Sequence, residues 1–506
     1  KHTFSNNEEQ AVFQEITKDH NINYLHSENE YDDFKDQVLL PHTLSNLGPA
    51  LAVGDLNGDG LDDFLIGGAH LTATSIYLQD KNGQFNKAVT GFPDEHKQFE
   101  DVDAFFFDVD NDGDLDIYIA SGGYEFDDHL SNLYDRIYLN DGKGKFTYTQ
   151  ELLPNIKTNS GCVRAFDYDG DGDLDIFVGG RVIAKKYPYA PMSYLLRNDN
   201  GKFTDVTDQI IPEVKRIGMV TSAEWFDYNN DGSTDLVLAG EWMPISVFKS
   251  ENGKFKLEDP ASIGLDKTNG WWYSLKKIDY NQDGQMDLVA GNLGLNYKYQ
   301  ASKERPFKVF GNDFDGNQTV DIVLSYEENE EYFPVRGREC SSDQMPFIKD
   351  KFPDYESFAS SNVYDILGEE KIESGLELNA YTFATTLFKN NNGIFESIPM
   401  HHSIQLSSIN DILVNDFNKD GIPDLMMAGN LYGSEVETSR NDAGYGNILF
   451  GTGDENFKLL HPSKTSYFGE NEVKKIRKIR VGNKTAYLIA QNRGPLRLFY
   501  YRETVQ

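Results

Sequence analysis

Residues 167–175 read DYDGDGDLD, and this stretch decides the fold because the chain repeats it. Counterparts begin at Asp55 (DLNGDGLDD), Asp108 (DVDNDGDLD), Asp227 (DYNNDGSTD), Asp279 (DYNQDGQMD), Asp313 (DFDGNQTVD) and Asp416 (DFNKDGIPD). Every copy has oxygen-bearing side chains at positions 1, 3, 5 and 9. They are Asp55, Asn57, Asp59 and Asp63, then Asp108, Asp110, Asp112 and Asp116, then Asp167, Asp169, Asp171 and Asp175. The next copies supply Asp227, Asn229, Asp231 and Asp235, and Asp279, Asn281, Asp283 and Asp287. The last two supply Asp313, Asp315, Asn317 and Asp321, and Asp416, Asn418, Asp420 and Asp424. Position 7, whose side chain varies, is free to offer its backbone carbonyl: Leu61, Asp114, Asp173, Ser233, Gln285, Thr319 and Ile422.

This alternation matches the first nine positions of a calcium-binding EF-hand loop, in which Gly at position 6 permits the sharp turn. Six of the seven copies have that Gly, and Gln318 replaces it in the Asp313 copy. The flanks exclude an EF-hand. A bidentate Glu would stand at position 12, where this chain has Ile66, Ile119, Val178, Leu238 and Ala290. Short runs rich in β-branched and aromatic residues, AFFFD or VRAFD before and DIYIASGG or DIFVGG after, signal strands on both sides. The loops are therefore strand–metal–strand turns. With no His or Cys among the donors, a hard cation is expected rather than zinc or copper. The prediction is calcium, about six or seven ions, in a structural role, because clustered carboxylates repel one another without a cation.

Loop starts lie 53, 59, 60 and 52 residues apart through the first five copies. Each interval also holds a hairpin such as RIYLNDGKGKFTYT, with Asn-Asp-Gly or Asn-Gly at the turn. Four strands per repeat predict an all-β propeller whose metal loops join the first and second strands of each blade. The rhythm breaks at residues 292–380, read as one insertion that carries the degenerate Asp313 loop and a mostly helical segment at 344–375. Seven blades are favoured if this is an insertion in the fifth blade, and eight are possible if Asp313 opens its own. Residues 12–16 resemble the strands that end later repeats. They are expected to close the ring by joining three strands within residues 473–502, leaving no free edge. The whole chain, 1–506, is read as one propeller.

A net charge of −35 over 506 residues makes nucleic acid and anionic membranes unfavourable partners. No apolar run is long enough to span a bilayer, so no direct membrane insertion is expected. The two cysteines, Cys162 and Cys340, are read as separate thiols rather than a pair. The chain begins at Lys1 and is read as mature or trimmed.

The repeats resemble the FG-GAP/VCBS repeat, the calcium-loop blade also used by integrin α-subunit propellers. LPHTLSNLGPALAVGDLNGDGLDDFLIGGA, GEWMPISVF, GWWYSL and AGNLGLN are further similar to large secreted VCBS proteins of Bacteroidetes-type bacteria and to the cartilage acidic protein and UnbV group. The resemblance implies calcium at positions 1, 3, 5, 7 and 9 of each loop, with the Asp313 loop departing from the pattern. It also implies an exported protein, whether extracellular, periplasmic or at the cell surface.

All four tryptophans fall between residues 225 and 272. Core packing is the favoured reading, with Trp242 and Trp272 the candidates for a ligand platform. No nucleophile elbow, phosphate loop or metalloprotease helix occurs in the sequence. The expected function is a calcium-stabilised binding or scaffold module for a protein partner or a glycan, not an enzyme. The alternative is a calcium-dependent polysaccharide lyase, for which Arg181, Lys185 and Lys186 are the nominees to neutralise a uronate.

Overall fold

Each nine-residue turn joins two antiparallel strands in the same register, so that Gly54 faces Asp63, Phe107 faces Asp116 and Phe166 faces Asp175. The second strands, such as Asp116–Gly122 and Asp175–Gly180, are buried along their whole length. A sheet sandwiched between two others has no solvent face, which is why these strands read as continuous apolar and small residues instead of alternating. The structure, a computed structural model, describes residues 11–89, 91–454, 456–467, 469 and 471–502, and the polar opening at residues 1–10 lies outside them.

Among the described residues the chain forms eight antiparallel sheets built on four strands each, with Gly270–Trp271 added as a fifth beside Asp235–Met243. Seven are blades of a ring. Their innermost strands are Leu51–Gly54, Glu100–Phe107, Ser160–Phe166, Met219–Phe226, Ser274–Ile278, Ile409–Asn415 and Glu472–Val481. Each lies beside the next, and the last lies beside the first. Seven apolar clusters fill the seven spaces between neighbouring blades. Between blades 2 and 3, for example, Tyr118 and Ile137 meet Ile176, Val178 and Phe203.

The ring closes at blade 7. Phe13–Glu15 is its outermost strand and pairs with Arg497–Tyr501, followed inward by Lys484–Asn492 and Glu472–Val481. Phe13 anchors the seam, with ring centroids 5.6 Å from Phe417, 5.9 Å from Tyr487 and 5.4 Å from Tyr501. The chain thus ties its beginning to its end without a covalent link. Cys162 and Cys340 are free thiols.

The eighth sheet interrupts blade 5 between its second strand, Asp287–Gly291, and its third, Thr386–Asn391. Its strand order is Glu331–Pro334, Asp321–Glu328, Phe307–Asn312, Leu376–Ala380. Both sequence-level counts therefore have a counterpart: eight sheets, seven of them in the ring. The helical stretch is more fragmented than the apolar spacing suggests. Five short helices, Arg338–Gln344, Phe347–Lys351, Tyr355–Ala359, Val363–Leu367 and Glu369–Glu373, replace a longer one. Pro346, Pro353 and Gly368 interrupt the run, and the Asp354 and Asn362 side chains cap new starts.

The inserted sheet and these helices form an eighth apolar cluster with Leu39, Leu40 and Leu44, Tyr124 of blade 2, Tyr187 of blade 3, Trp242 of blade 4 and Leu431 of blade 6. Tyr124, Tyr187, Trp242 and Leu431 come at or beyond the ends of second strands, away from the metal loops. The insertion therefore caps the ring face opposite those loops.

Candidate metal centres and the charged axis

The nine-residue turns share one hydrogen-bond plan. The position 1 carboxylate accepts from the position 6 N–H in all seven, at 2.7 Å for Asp55, 3.0 Å for Asp108 and Asp167, and 2.8 Å for Asp227. The distances are 3.1 Å for Asp279 and 2.9 Å for Asp313 and Asp416. The position 5 side chain accepts from the position 7 N–H, as Asp59 does from Leu61 and Asn317 from Thr319. This second bond holds the residue at position 7, leaving its carbonyl available.

The backbone is left-handed at two positions of each loop, not one. Position 6 has φ of +84° at Gly60, +99° at Gly172 and +70° at Gln318. Position 4 has +70° at Gly58, +62° at Asn111, +82° at Gly316 and +61° at Lys419. The Asp313 turn therefore keeps the common backbone, with Gln318 in the conformation that Gly holds elsewhere. Asn and Gly dominate position 4 because they enter this region at least cost, a signal the sequence carried but the reading did not use.

Position 9 does more than close a cage. These aspartates are buried, and in the six ring loops each ties three strands together, whereas Asp321 of the inserted sheet accepts from Phe314 N at 2.8 Å. Asp116 accepts from Val109 N at 2.8 Å and from Asn140 N at 2.8 Å. Asp175 accepts from Tyr168 N at 3.0 Å and from Asn198 N at 2.9 Å. Asp63, Asp235 and Asp424 do likewise with Gln79, Ser250 and Gly451 of their third strands, and Asp287 with Asn390. The asparagine partners then link blades: Asn140 Nδ2 donates to Leu56 O at 2.8 Å, Asn198 Nδ2 to Val109 O at 3.1 Å, and Asn390 Nδ2 to Tyr228 O at 2.7 Å. Sequence reasoning saw these asparagines only as turn residues. Their recurrence as NDG, NDN and NNN at the end of the third strand was the available signal.

Carboxylate oxygens of Asp108, Asp110 and Asp116 lie within 4.8 Å of one another, as do those of Asp167, Asp169 and Asp175, and those of Asp313, Asp315 and Asp321. These clusters can bind a metal ion. Burial, followed by the charge of neighbouring loop aspartates, outweighs the backbone hydrogen bonds and raises the position 9 carboxyls. Asp63, Asp116, Asp175, Asp287 and Asp321 are pushed up to about 7, and Asp235 and Asp424 to about 6. A group so placed is ionised at neutral pH only if a cation or many hydrogen bonds hold it there. The donors are oxygen throughout, the set a hard divalent cation prefers, so the residues present fit calcium.

A second charged arrangement lines the axis and was not read from the sequence. Inner strands project Asp103, Arg164, Glu224, Lys276, Asp411 and Arg477 from blades 2 to 7. Arg164 meets Asp103 at 2.9 Å, Lys276 meets Glu224 at 2.7 Å and Arg477 meets Asp411 at 2.8 Å. Blade 1 contributes no charge there, and Lys475 of blade 7 reaches Asp103 of blade 2 at 2.9 Å. Burial alone would raise the Asp103 carboxyl, but Lys475, Arg164 and Arg477 hold it well below the usual range. The sequence signal was one or two charges embedded in each otherwise apolar first strand, as in CVRAF, AEWF and INDILV.

The tryptophan platform is corrected. Trp242 is 2% exposed and Trp272 is fully buried, so neither offers a ring face to a ligand. Trp242 Nε1 donates to Tyr187 Oη at 2.5 Å, and Trp272 Nε1 donates to Thr268 O at 2.9 Å. Both fill space: Trp242 under the inserted sheet, stacked on Phe307, and Trp272 between blades 4 and 5. The basic residues nominated for a lyase do not assemble either. Arg181 is 4% exposed and donates to Glu241 at 2.5 Å, while Lys185 is paired with Asp127 at 3.2 Å. Glu241 also accepts from His42 and Tyr187. Burial opposes its ionisation, but His42 and Arg181 bring the carboxyl down to about 2.

Residues 55–119, 108–178 and 227–290 match the FG-GAP-like repeat. Each match begins at position 1 of a metal loop and ends at position 12 of the next, so the repeat unit is offset from the blade by one strand. Among solved structures the chain is similar to the Vibrio cholerae biofilm matrix protein Bap1 at 11% identity and TM-score 0.41, covering 92% of this chain and 89% of that one. It is similar to YCF48 bound to D1 peptide at 8% identity and TM-score 0.41, covering 94% and 98%. It is also similar to BBS1N in complex with ARL6DN at 10% identity and TM-score 0.39, covering 92% and 96%.

Proposed function

We propose that this chain is an exported, calcium-stabilised propeller that serves as a binding or scaffold module for a protein partner or a glycan. The observation that carries this reading is the set of oxygen-only turns, one in each of blades 1 to 6 and one in the inserted sheet, with buried position 9 acids. About six or seven calcium ions would occupy them. Such turns fill at the millimolar calcium found outside cells, which favours an extracellular, periplasmic or surface setting. In this role the residues bind and orient. Position 9 fixes the third strand to the first two, the ion neutralises the remaining carboxylates, and the resulting rigid ring presents its loop face to a partner.

Metal analysis of protein dialysed against calcium, combined with screening of glycans and surface proteins in calcium and in chelator, tests this proposal. The expected result is about six or seven calcium ions per chain and a ligand whose capture needs calcium. Metal content below one ion per chain would overturn it, as would residence of the native protein in the cytosol.

A further inference from the structure

Residues 472–502 hold nine Lys and Arg against a single Glu, in a chain whose net charge is −35. Blade 7 is thus the basic sector of an acidic ring. Five of the nine meet carboxylates: Lys474 with Glu472 at 2.8 Å, Lys475 with Asp103 at 2.9 Å, Arg477 with Asp411 at 2.8 Å, Arg480 with Asp62 at 2.9 Å and Arg497 with Glu15 at 2.7 Å. The last four tie blade 7 to blades 1, 2 and 6 and to the N-terminal strand, so ring closure accounts for them. Arg493 is exposed at a turn.

The other three have no such explanation. Lys478 Nζ donates to Asn415 Oδ1 at 2.9 Å, and Arg502 Nε donates to Gln14 Oε1 at 2.9 Å. Lys484 Nζ stands 4.8 Å above the Tyr500 ring. Among the described residues none of these three is paired with a carboxylate. All three line one cleft of about 820 Å³ at the seam of blades 6 and 7. Asp416 is the only acid among the described residues of that lining, and its oxygens already accept from Asp420 N and Gly421 N.

We infer that this cleft binds a short acidic oligosaccharide, with uronate carboxylates held by Lys478, Lys484 and Arg502. Three cations that share one cleft, none of them paired with a carboxylate among the described residues, repel, and an anionic ligand relieves that repulsion. The volume falls in the range of small-ligand clefts, roughly 300–1,000 Å³, rather than that of a flat protein interface. The same lining holds neutral donors and acceptors, Asn483 and Thr485, which suit sugar hydroxyls. A densely charged polyanion is disfavoured by the net charge of the rest of the chain, whereas one carboxylate per sugar is tolerated. The inference rests on the reading of the chain as a binding module, but at a site separate from its calcium cages.

Isothermal titration of the calcium-loaded full chain with trigalacturonate tests it, with maltotriose as the uncharged control and hexaglutamate as an acidic peptide. The expected result is binding of trigalacturonate that weakens as salt is added, and none of maltotriose. Lys484→Gln and Arg502→Gln should each weaken it about tenfold, the effect of losing one charge-assisted hydrogen bond. Lys484 is exposed beside a hairpin turn, so its variant is expected to fold, and an unchanged melting curve checks this. The variants also separate the cleft from any bridging of uronate through loop calcium. No binding of trigalacturonate, equal affinity in both variants, or tighter binding of hexaglutamate would each overturn the inference. If calcium-dependent stability persists in that case, the module reading stands and only this site is lost.

Discussion

Replacing Phe13 with Ala tests whether the noncovalent seam holds the ring. The Phe13 side chain is 1% exposed, and its ring meets Phe417 of blade 6 and Tyr487 and Tyr501 of blade 7. Truncating a buried Phe costs about 3–5 kcal/mol. For a chain of this length, an unfolding entropy of about 2.1 cal/mol/K per residue gives about 1 kcal/mol/K. The melting temperature should therefore fall by about 3–5 °C, provided the ring melts as one cooperative unit. Phe395, 3% exposed in the outermost strand of blade 5, is the matched control, since its blade does not depend on the N-terminal strand. Both variants should lose similar stability by calorimetry. Only Phe13→Ala should also speed hydrogen exchange along Arg497–Tyr501, the strand that Phe13–Glu15 covers. A Phe13→Ala protein that melts within about 1 °C of the parent, while Phe395→Ala falls as calculated, would refute the seam argument.

Asp103→Asn removes the buried counter-charge shared by the half-buried Lys475 and Arg164, and leaving them unpaired should cost up to about 3 kcal/mol in denaturant unfolding. A loss indistinguishable from that of Arg480→Gln, whose pair with Asp62 is solvent-exposed, would contradict the role of the axial belt. Gln318→Gly should stabilise the degenerate loop by about 1 kcal/mol, because Gly relieves a left-handed conformation at φ +70°. A melting point that does not rise would show that the strain is absent. In chelator, stability should fall as pH rises from about 4 to 7. The position 9 acids sit at about 6–7 in the folded chain, against about 3.9 unfolded, so the native state binds more protons in that window. His70 and His96 are depressed by burial and act in the opposite sense, but two imidazoles face seven carboxyls. With calcium bound the dependence should reverse, since the metal competes with those protons. Melting curves at about pH 5.5 and 8, with and without calcium, check both signs.

Period and punctuation carried most of the architecture. The acid alternation of DYDGDGDLD, with strands on both sides, specifies a blade's first hairpin from local chemistry alone, and the spacing of copies specifies the ring. The helical insertion was legible as an interruption but not in shape, because apolar spacing at Phe347, Ile348, Phe352 and Phe358 does not reveal where Pro346 and Pro353 break the run. The favoured core reading of the tryptophans holds, and the ligand-platform reading of Trp242 and Trp272 failed for a related reason. An aromatic near a turn looks exposed until another element covers it, and the sheet over Trp242 comes from residues far along the chain. The axial belt was hidden because its pairs join different blades, Asp103 with Lys475 being the most distant in sequence. Asp63, Asp116 and Asp175 were read as candidate ligands. Their bonds to third strands were not, since a backbone donor has no letter in the sequence.

The central claim is that the repeated turns hold calcium and that the ions hold the blades. Calorimetry of the calcium-loaded chain before and after treatment with EGTA, with metal content measured on the same samples, tests it most directly. A site at a hundredfold excess of ligand contributes about 2.7 kcal/mol, so six or seven sites contribute about 16–19 kcal/mol. At about 1 kcal/mol/K this predicts a melting temperature lower by roughly 15 °C or more in the stripped protein, restored on adding calcium back. An unchanged melting curve with the metal shown to be gone would contradict the account.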